Sequence, residues 1–466
     1  MKKILALILV LIMALSLVAC GEKPVEPDQP EEPDTSIILA EGNEYGAPAG
    51  RVLVMYWSPY GSGTTKYVDP HIEAFNNMQD EYWVVREYNG GYYDQIAKLM
   101  ATEKKDLPAL VNSSSETVGS YLHSGLIKMV QDYIDADESY DRELYAPLTA
   151  TYGNEDGMIG YPIGLSLSGF FYNKTVFDKA GIDPTSLTSF DKIYEASIKL
   201  VEGGYCKYAI SEEHSGIWAN YAFHREGFYT VDADNASTGL PTKCLYDDNS
   251  NGFADIVKQY YTQWADLDNR GYVYPVGSSK KDELEPALAA GDLAMIITTN
   301  SSYKRIKQAA EANGFEVGFQ PQYSITEKGK NTGFCTSGNG MFIIDNGKTK
   351  SMQGAYEFLK YFTSVEVQLQ WNQDTSYMPM YEEIYQHPDF QATLSWRPSF
   401  DQNIKDFLAG DDSAFYAFTA TNNEYTLAQQ TCLEDVCNND MPVDEAIAKM
   451  VQTINDAFEL YNMANG

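Results

Sequence analysis

The side chains best suited to chemistry in this sequence are polar and aromatic groups that follow three predicted strands. They are Trp57 and Tyr60 after the first strand, Tyr92 after the second, and Ser115 and Glu116 after the third. The carboxyl ends of parallel strands meet at one edge of a sheet, where ligands bind, so we expect these side chains to lie close together. Helix N-capping explains each polar cluster about equally well when it is taken alone.

Three further candidate residues come from the middle of the chain. Residues 156–183 begin with Gly and Pro turns and continue as a strand that carries Ser166 and Ser168, before a helix that starts near Lys174. This pattern predicts a strand that delivers hydroxyl groups to a cleft. Trp218 follows Ser215-Gly216, where a loop could present it as an aromatic platform. The sequence leaves open whether Trp218 faces the cleft or belongs to the core.

Motifs for catalysis or metal binding are weak. No G-x-S-x-G, P-loop or G-x-G-x-x-G motif occurs, and the five His residues are scattered without the spacing of a zinc site. Glu212 and Glu213 are adjacent and do not form an assignable acid/base pair. The segment from Asp247 to Asp255 begins like a calcium loop, but Lys258 stands where a bidentate Glu is needed, which favours a solvated turn. We therefore expect no catalytic residue, no metal and no cofactor.

Composition limits the class of protein. At 466 residues the chain is too long for one ordinary core, so two domains are expected. Its 33 basic and 66 acidic residues give a net charge of −33, which argues against nucleic-acid binding through phosphates. Strands alternate with helices after Arg51, which predicts an α/β protein with a parallel sheet. Five cysteines follow Cys20, and the sequence leaves their pairing open.

The N-terminus resembles that of a bacterial lipoprotein. Met1-Lys2-Lys3 precedes an apolar stretch that ends in Leu17-Val18-Ala19-Cys20, which is similar to a lipobox. The resemblance implies a signal peptide over residues 1–19 and a lipid on Cys20, and an ordinary secretory signal is the alternative. Residues 20–50 are acidic and rich in Pro, so we expect an extended tether between the lipid and the folded part.

Four motifs carry a wider resemblance, namely the lipobox, YNK…FDKAGID, AGDLAM and SYMPM. Together they resemble family 1 extracellular solute-binding proteins of ABC sugar importers, nearest to the glycerol-3-phosphate and carbohydrate branch. The resemblance implies a two-lobe, type II periplasmic-binding-protein-like fold with the ligand cleft between the lobes. Three crossings are expected near Gly160, Thr298 and Ile344. The expected lobes are 51–162 with 298–344, and 163–297 with 345–466.

The resemblance also implies ligand-binding residues. Those carried over by position are Tyr92, a serine within 166–168, Thr299 or Asn300, Gly338 and Tyr377. The sequence departs from the branch in two places. The first-lobe glutamate falls at Ser115 or Glu116 depending on one residue of register. The arginine expected late in the chain, opposite a phosphate, has no counterpart in SAFYAFTATNNEYT.

These observations predict a lipid-anchored binding protein on the outer face of a bacterial cytoplasmic membrane. It would capture a mono- or oligosaccharide and deliver it to an ABC permease as a monomer, without nucleic-acid partners. One alternative is binding of glycerol-3-phosphate or a related polyol phosphate. A secreted carbohydrate-active enzyme with two α/β domains is a further alternative, because sequence alone cannot measure the separation of two carboxylates.

Overall fold

A mixed sheet carries the fold in the computed structural model, which describes residues 34–61, 65–213, 216–277, 281–329, 333–409 and 416–465. The strands of this part of the chain are β1 Val52–Ser58, β2 Tyr82–Tyr88, β3 Leu110–Ser114, β4 Ile127–Lys128, β5 Gly153–Asn154, β6 Gly157–Met158, β7 Tyr161–Asn173, β8 Tyr208–Glu212, β9 Leu293–Thr299, β10 Val317–Pro321 and β11 Thr336–Ile344. Apart from the small β5-β6 hairpin, these strands belong to one hydrogen-bonded sheet with the order β2-β1-β3-β11-β7-β9-β8, to which β4 and β10 are added.

Helices connect these strands. They are α1 Thr65–Met78, α2 Tyr92–Ala101, α3 Val118–His123, α4 Val130–Ala136, α5 Ala146–Tyr152, α6 Lys174–Ala180, α7 Phe190–Glu202, α8 Ala219–Glu226, α9 Phe253–Asn269, α10 Lys281–Ala290, α11 Tyr303–Ala312, α12 Thr349–Phe362, α13 Val365–Thr375, α14 Glu382–Gln386, α15 Pro388–Thr393, α16 Ser399–Ala409, α17 Asn422–Asn438 and α18 Val443–Asn465. Short 3₁₀ turns at Ser115–Thr117 and Asn300–Ser302 follow β3 and β9. Residues Asp232–Ala236 form a left-handed turn.

Strand β7 joins the two halves of the sheet. Its first part, through Leu167, pairs with β11, and its second part, from Ser168, pairs with β9. All thirteen of its residues are buried, as expected for a strand covered on both faces. Asn173 ends β7 and caps α6, because its side chain accepts a hydrogen bond from the backbone N–H of Val176. The predicted strand-to-helix segment is therefore present, and it bridges the sheet.

Helices α7 and α18 each bury an apolar face. Ser189 caps α7, where Ile193 is buried. In α18 four apolar positions at helical spacing are all buried, namely Ile447, Val451, Ile454 and Phe458. The predicted parallel sheet is present only in part. β1 pairs in parallel with β2 and β3, whereas β11 runs antiparallel to both β3 and β7.

The predicted lobe limits differ from the packing in two places. Residues 303–321 pack with the β7-β9 half, because β10 pairs with the second part of β7 and the ring of Tyr303 contacts Phe171. The chain therefore returns to the other half at β11 and not near Thr298. Helix α12 packs on β1, where Phe358 contacts Tyr56, whereas the sequence predicts that this helix belongs to the second lobe. The apolar face of α12 covers the half of the sheet that contains β1, next to β11, the strand that directly precedes α12 in the chain.

The folded part begins earlier than predicted. Residue Ile38 bridges to Val52, and the backbone N–H of Leu39 donates to the carbonyl of Arg51 at 2.8 Å. Leu39 is buried in a small apolar cluster with Leu53. The end of the predicted tether therefore pairs with the start of β1, because its apolar residues complete a surface that β1 leaves open.

Several predictions fall outside the described residues or concern cysteines. The signal peptide and Cys20 lie outside them, as do the tether residues before 34. Among the described residues, no helix is both long enough and apolar enough to span a membrane. The five cysteines after Cys20 are free thiols.

Candidate ligand-binding site

A cavity of about 230 Å³ lies where both halves of the sheet present their strand ends. Seven residues predicted from the sequence line it, namely Tyr92, Glu116, Ser166, Trp218, Thr299, Gly338 and Tyr377. Ten further residues complete the lining: Tyr93, Ser114, Glu213, Ile217, Thr298, Ser301, Ser337, Asn339, Thr426 and Gln430. The wall is therefore built mainly from hydroxyl, carboxylate, amide and aromatic groups.

Tyr377 is held by its neighbours on two sides. Its ring stacks on Trp371 with centroids 5.9 Å apart and an angle of 14° between the planes. Its hydroxyl accepts a hydrogen bond from Nδ2 of Asn339. Burial raises the pKa of Tyr377 to about 12, although the Asn339 contact acts in the opposite direction. The Tyr377 ring is thus neutral and is held in one position at the cavity wall.

Two glycines make room for this arrangement. A Cβ on Gly164 would lie 2.7 Å from Cγ of Tyr377, so only glycine allows the ring to approach β7. Gly338 has a φ of +130°, and a Cβ there would meet the carbonyl oxygen of Gly164. β11 shifts register against β7 next to this residue. Gly338 therefore has a backbone role at the cavity wall.

Glu116 is a buried carboxylate in the cavity wall, 6% exposed. Its Oε1 accepts hydrogen bonds from the hydroxyls of Tyr221 and Ser337, the latter at 3.4 Å. No Lys, Arg or His in the described part of the chain forms an ion pair with it. A buried carboxylate held by hydroxyl donors is suited to accept further hydroxyl hydrogens from a solute.

Glu213 and Trp218 form the facing wall. Glu213 is 4% exposed, and Thr298 Oγ1 donates to its Oε2 at 2.6 Å. The indole Nε1 of Trp218 donates to the Glu213 carbonyl oxygen at 2.6 Å. Trp218 is 7% exposed and packs on Tyr221 while its remaining surface lines the cavity. Trp218 therefore packs in the core and also forms part of the cavity wall.

Three predicted polar residues do not line the cavity. The carboxamide of Asn300 accepts from Ser166 Oγ and Leu167 N, and donates to the Ser376 carbonyl, so it ties β7 to the end of α13. Ser115 Oγ donates to the Thr336 carbonyl at 3.4 Å. Ser168 is buried behind the wall. Ser168 faces the interior because β7 is covered on both faces, whereas Ser115 and Asn300 are turned inward by their hydrogen bonds to neighbouring segments.

Two predicted aromatic residues also lie away from the lining. Trp57 is buried in the core cluster, and Nζ of Lys98 lies 4.5 Å from its ring centroid. Tyr60 packs on Trp371 at 6.1 Å, on which Tyr377 also stacks. Tyr60 therefore supports the cavity wall from behind. The rule that ligands bind at the carboxyl ends of parallel strands placed Trp57 and Tyr60 near the correct edge of the sheet. It does not distinguish side chains that line the cavity from side chains that pack behind the lining residues.

Some lining residues had a sequence signal that was not used. Glu213 directly follows β8, so the rule applied to β1, β2 and β3 would have found it. Tyr93 is the neighbour of the predicted Tyr92. Thr426 and Gln430 lie on α17, far along the chain, and carried no local signal.

The charge of the wall is acidic. Glu116 and Glu213 both line the cavity, and no Lys, Arg or His is found among the described lining residues. Arg225 lies over the ring of Phe334 at 4.1 Å and does not line the cavity. The segment in which an arginine was expected contributes Thr426 instead. Within the described residues no cluster of metal-binding side chains occurs.

The fold is shared with solved binding proteins. The GacH receptor of Streptomyces glaucescens, solved unliganded and with acarbose, matches with a TM-score of 0.69 at 17% identity over 87% of this chain and 98% of that one. UgpB from Mycobacterium tuberculosis, in complex with glycerophosphocholine, matches with a TM-score of 0.69 at 16% identity over 89% of this chain and all of that one. The predicted two-lobe α/β fold of type II is confirmed.

Comparison of the sequence with known proteins identifies the family within this fold class. The sn-glycerol-3-phosphate-binding periplasmic protein UgpB of Yersinia pestis bv. Antiqua is 25% identical over 391 residues, which cover 80% of this chain and 84% of that protein. Residues 71–395 match the model of the bacterial extracellular solute-binding proteins. The chain belongs to this family.

Proposed function

We propose that the chain captures a neutral mono- or oligosaccharide outside the cytoplasmic membrane and delivers it to an ABC permease. The observation that carries the proposal is the cavity lining, which offers hydroxyls, carboxylates and aromatic faces without a Lys, Arg or His among the described residues. Sugar hydroxyls donate to carboxylates and exchange hydrogen bonds with hydroxyls, while sugar rings stack on aromatic faces. We expect binding without turnover.

Glycerol-3-phosphate is the second candidate ligand, because a relative of this chain is named as an sn-glycerol-3-phosphate-binding protein. A phosphate near −2 is costly to bury unless an Arg fork or several backbone N–H groups face it. Here Glu116 and Glu213 would add like-charge repulsion. We therefore expect glycerol-3-phosphate to bind at least about tenfold more weakly than the preferred sugar, a gap of about 1.4 kcal/mol.

Isothermal titration tests the choice. The protein is titrated with a panel of neutral saccharides and with glycerol-3-phosphate, and the same mixtures are analysed for products. Micromolar glycerol-3-phosphate binding that no neutral sugar competes away would contradict the proposal. In that case Arg225→Gln would be measured next, to ask whether this cation moves to the phosphate. Product formation would favour the carbohydrate-active enzyme alternative.

The location and partners belong to the same proposal. We infer that Cys20 carries the lipid and that residues between it and the folded part act as a tether, which supports capture close to a permease. Two or more acyl chains hold a protein at a membrane, since each buried CH₂ contributes about 0.8 kcal/mol. We expect a monomer that closes on its solute, with the chain segments that cross between the lobes acting as the hinge.

A further inference from the structure

One side of the cavity is closed by direct contacts between two distant parts of the chain. We call this contact the seam. It is formed by Tyr93, Gly119, Ser120 and His123 on α2 and α3, and by Phe418, Thr419, Ala420, Asn422 and Thr426 at and before the start of α17. Tyr93 and Thr426 also line the cavity, so the seam begins at its wall.

Hydrogen bonds hold the seam at several points. The hydroxyl of Tyr93 lies 3.2 Å from Thr426 Oγ1 and accepts from Asn422 Nδ2 at 3.3 Å. Further along, Ser120 Oγ donates to the Ala420 carbonyl at 3.2 Å. The next turn adds His123, whose Nε2 donates to the Phe418 carbonyl at 3.2 Å. Opening this side of the cavity requires breaking these bonds.

Close backbone contact makes the seam tight. Gly119 faces the main chain at Phe418, where an added Cβ would lie 2.6 Å from the Phe418 Cα. Such a distance is shorter than non-bonded carbons tolerate. Nothing larger than glycine therefore fits without separating α3 from this segment.

The cavity behind the seam is small. Its volume of about 230 Å³ is below the range of about 300–1,000 Å³ that is usual for drug-sized ligands. A second sugar unit directed towards α2 would meet the Tyr93 ring and its bonds to α17. On the facing wall the side chain of Trp218 is largely buried. A space of this volume, closed on the side of the seam, suits one sugar unit.

We propose that the seam restricts the solute to a single sugar unit and that Tyr93 is a specificity-determining residue. This inference rests on the proposed function, since it concerns the size of a saccharide in the same cavity. It predicts that a monosaccharide binds at least about tenfold more tightly than the trisaccharide built from it. Removing the Tyr93 side chain or separating the seam at Gly119 should reduce that ratio at least tenfold.

The test is a titration series with glucose, galactose and mannose and with the disaccharides and trisaccharides built from each. Wild type, Tyr93→Ala and Gly119→Val are compared with Tyr88→Ala, which removes an exposed tyrosine of the same half outside the cavity. We expect Tyr88→Ala to keep the wild-type ratio. If Gly119→Val does not fold, the ratio of monosaccharide to trisaccharide affinity in Tyr93→Ala tests the inference by itself.

The outcomes separate the inference from the proposed function. Trisaccharide binding by wild type as tight as monosaccharide binding overturns the size limit and leaves carbohydrate binding intact. An unchanged ratio in Tyr93→Ala overturns the role of Tyr93. Failure of every saccharide to bind, with glycerol-3-phosphate binding instead, overturns the proposed function and this inference with it.

Discussion

Replacing Gly164 by Ala should displace the Tyr377 ring from its position against β7 and so weaken ligand binding. Gly164 pairs with Asn339 of β11 and lies beneath the Tyr377 ring. A Cβ would be 2.7 Å from Cγ and 2.9 Å from Cδ2 of Tyr377, and 3.1 Å from Nε1 of Trp371. The φ of Gly164 is outside the left-handed region, so alanine is compatible with the backbone. The added methyl group therefore acts through the rings.

The expected magnitude follows from the constraints on Tyr377. The ring stacks on Trp371, and its hydroxyl is held by Asn339, so it cannot yield freely. Overpacking of this kind costs about 1–3 kcal/mol of the free energy of unfolding. A displaced aromatic platform should weaken sugar binding by about 1–3 kcal/mol, or roughly 5- to 150-fold.

A double-mutant cycle makes the assay specific. Affinity is measured by titration and stability by urea unfolding for Gly164→Ala, Tyr377→Ala and the double variant, with Gly239→Ala as control because open space surrounds that glycine. Without the Tyr377 ring most of the clash is relieved, so Gly164→Ala should then change affinity by less than about 0.5 kcal/mol. Equal losses with and without Tyr377 would refute the reasoning.

Three further predictions concern other parts of the chain. Trp218→Ala should weaken sugar binding by about 1–3 kcal/mol in titrations, because its indole lines the cavity, and an unchanged affinity with a sharply lower melting temperature would make it a core residue only. Burial raises the pKa of Glu212 from 4.5 to about 8, so the folded state keeps a proton that the unfolded state loses, and stability should fall as pH rises from about 5 to 8. Glu212→Gln should flatten this slope in urea unfolding, and a slope that persists would assign it to other groups. Cys20→Ala should appear in the medium or remain unprocessed on cell fractionation, since the lipid is the proposed anchor, and retention of a processed Cys20→Ala protein in the membrane fraction would contradict that anchor.

Local patterns in the sequence were sufficient for many elements. The alternation of strands and helices predicted after Arg51 is present, and the buried positions of α18 recur with a period of 3.6 residues. The strand-end rule found Tyr92 and Glu116, because the edge at which a parallel strand ends depends only on its direction. The family motifs added Thr299, Gly338 and Tyr377.

Tertiary structure alone decided which polar groups face the cavity. Asn300 follows the same strand as Thr299 but turns its amide inward to β7, which only the neighbouring chain reveals. Tyr93 meets Thr426 although 333 positions separate them, and no local pattern records such a pair. Short-range propensity and periodicity are properties of consecutive residues, whereas the wall of a cavity is set by the packing of segments that meet only in the folded chain.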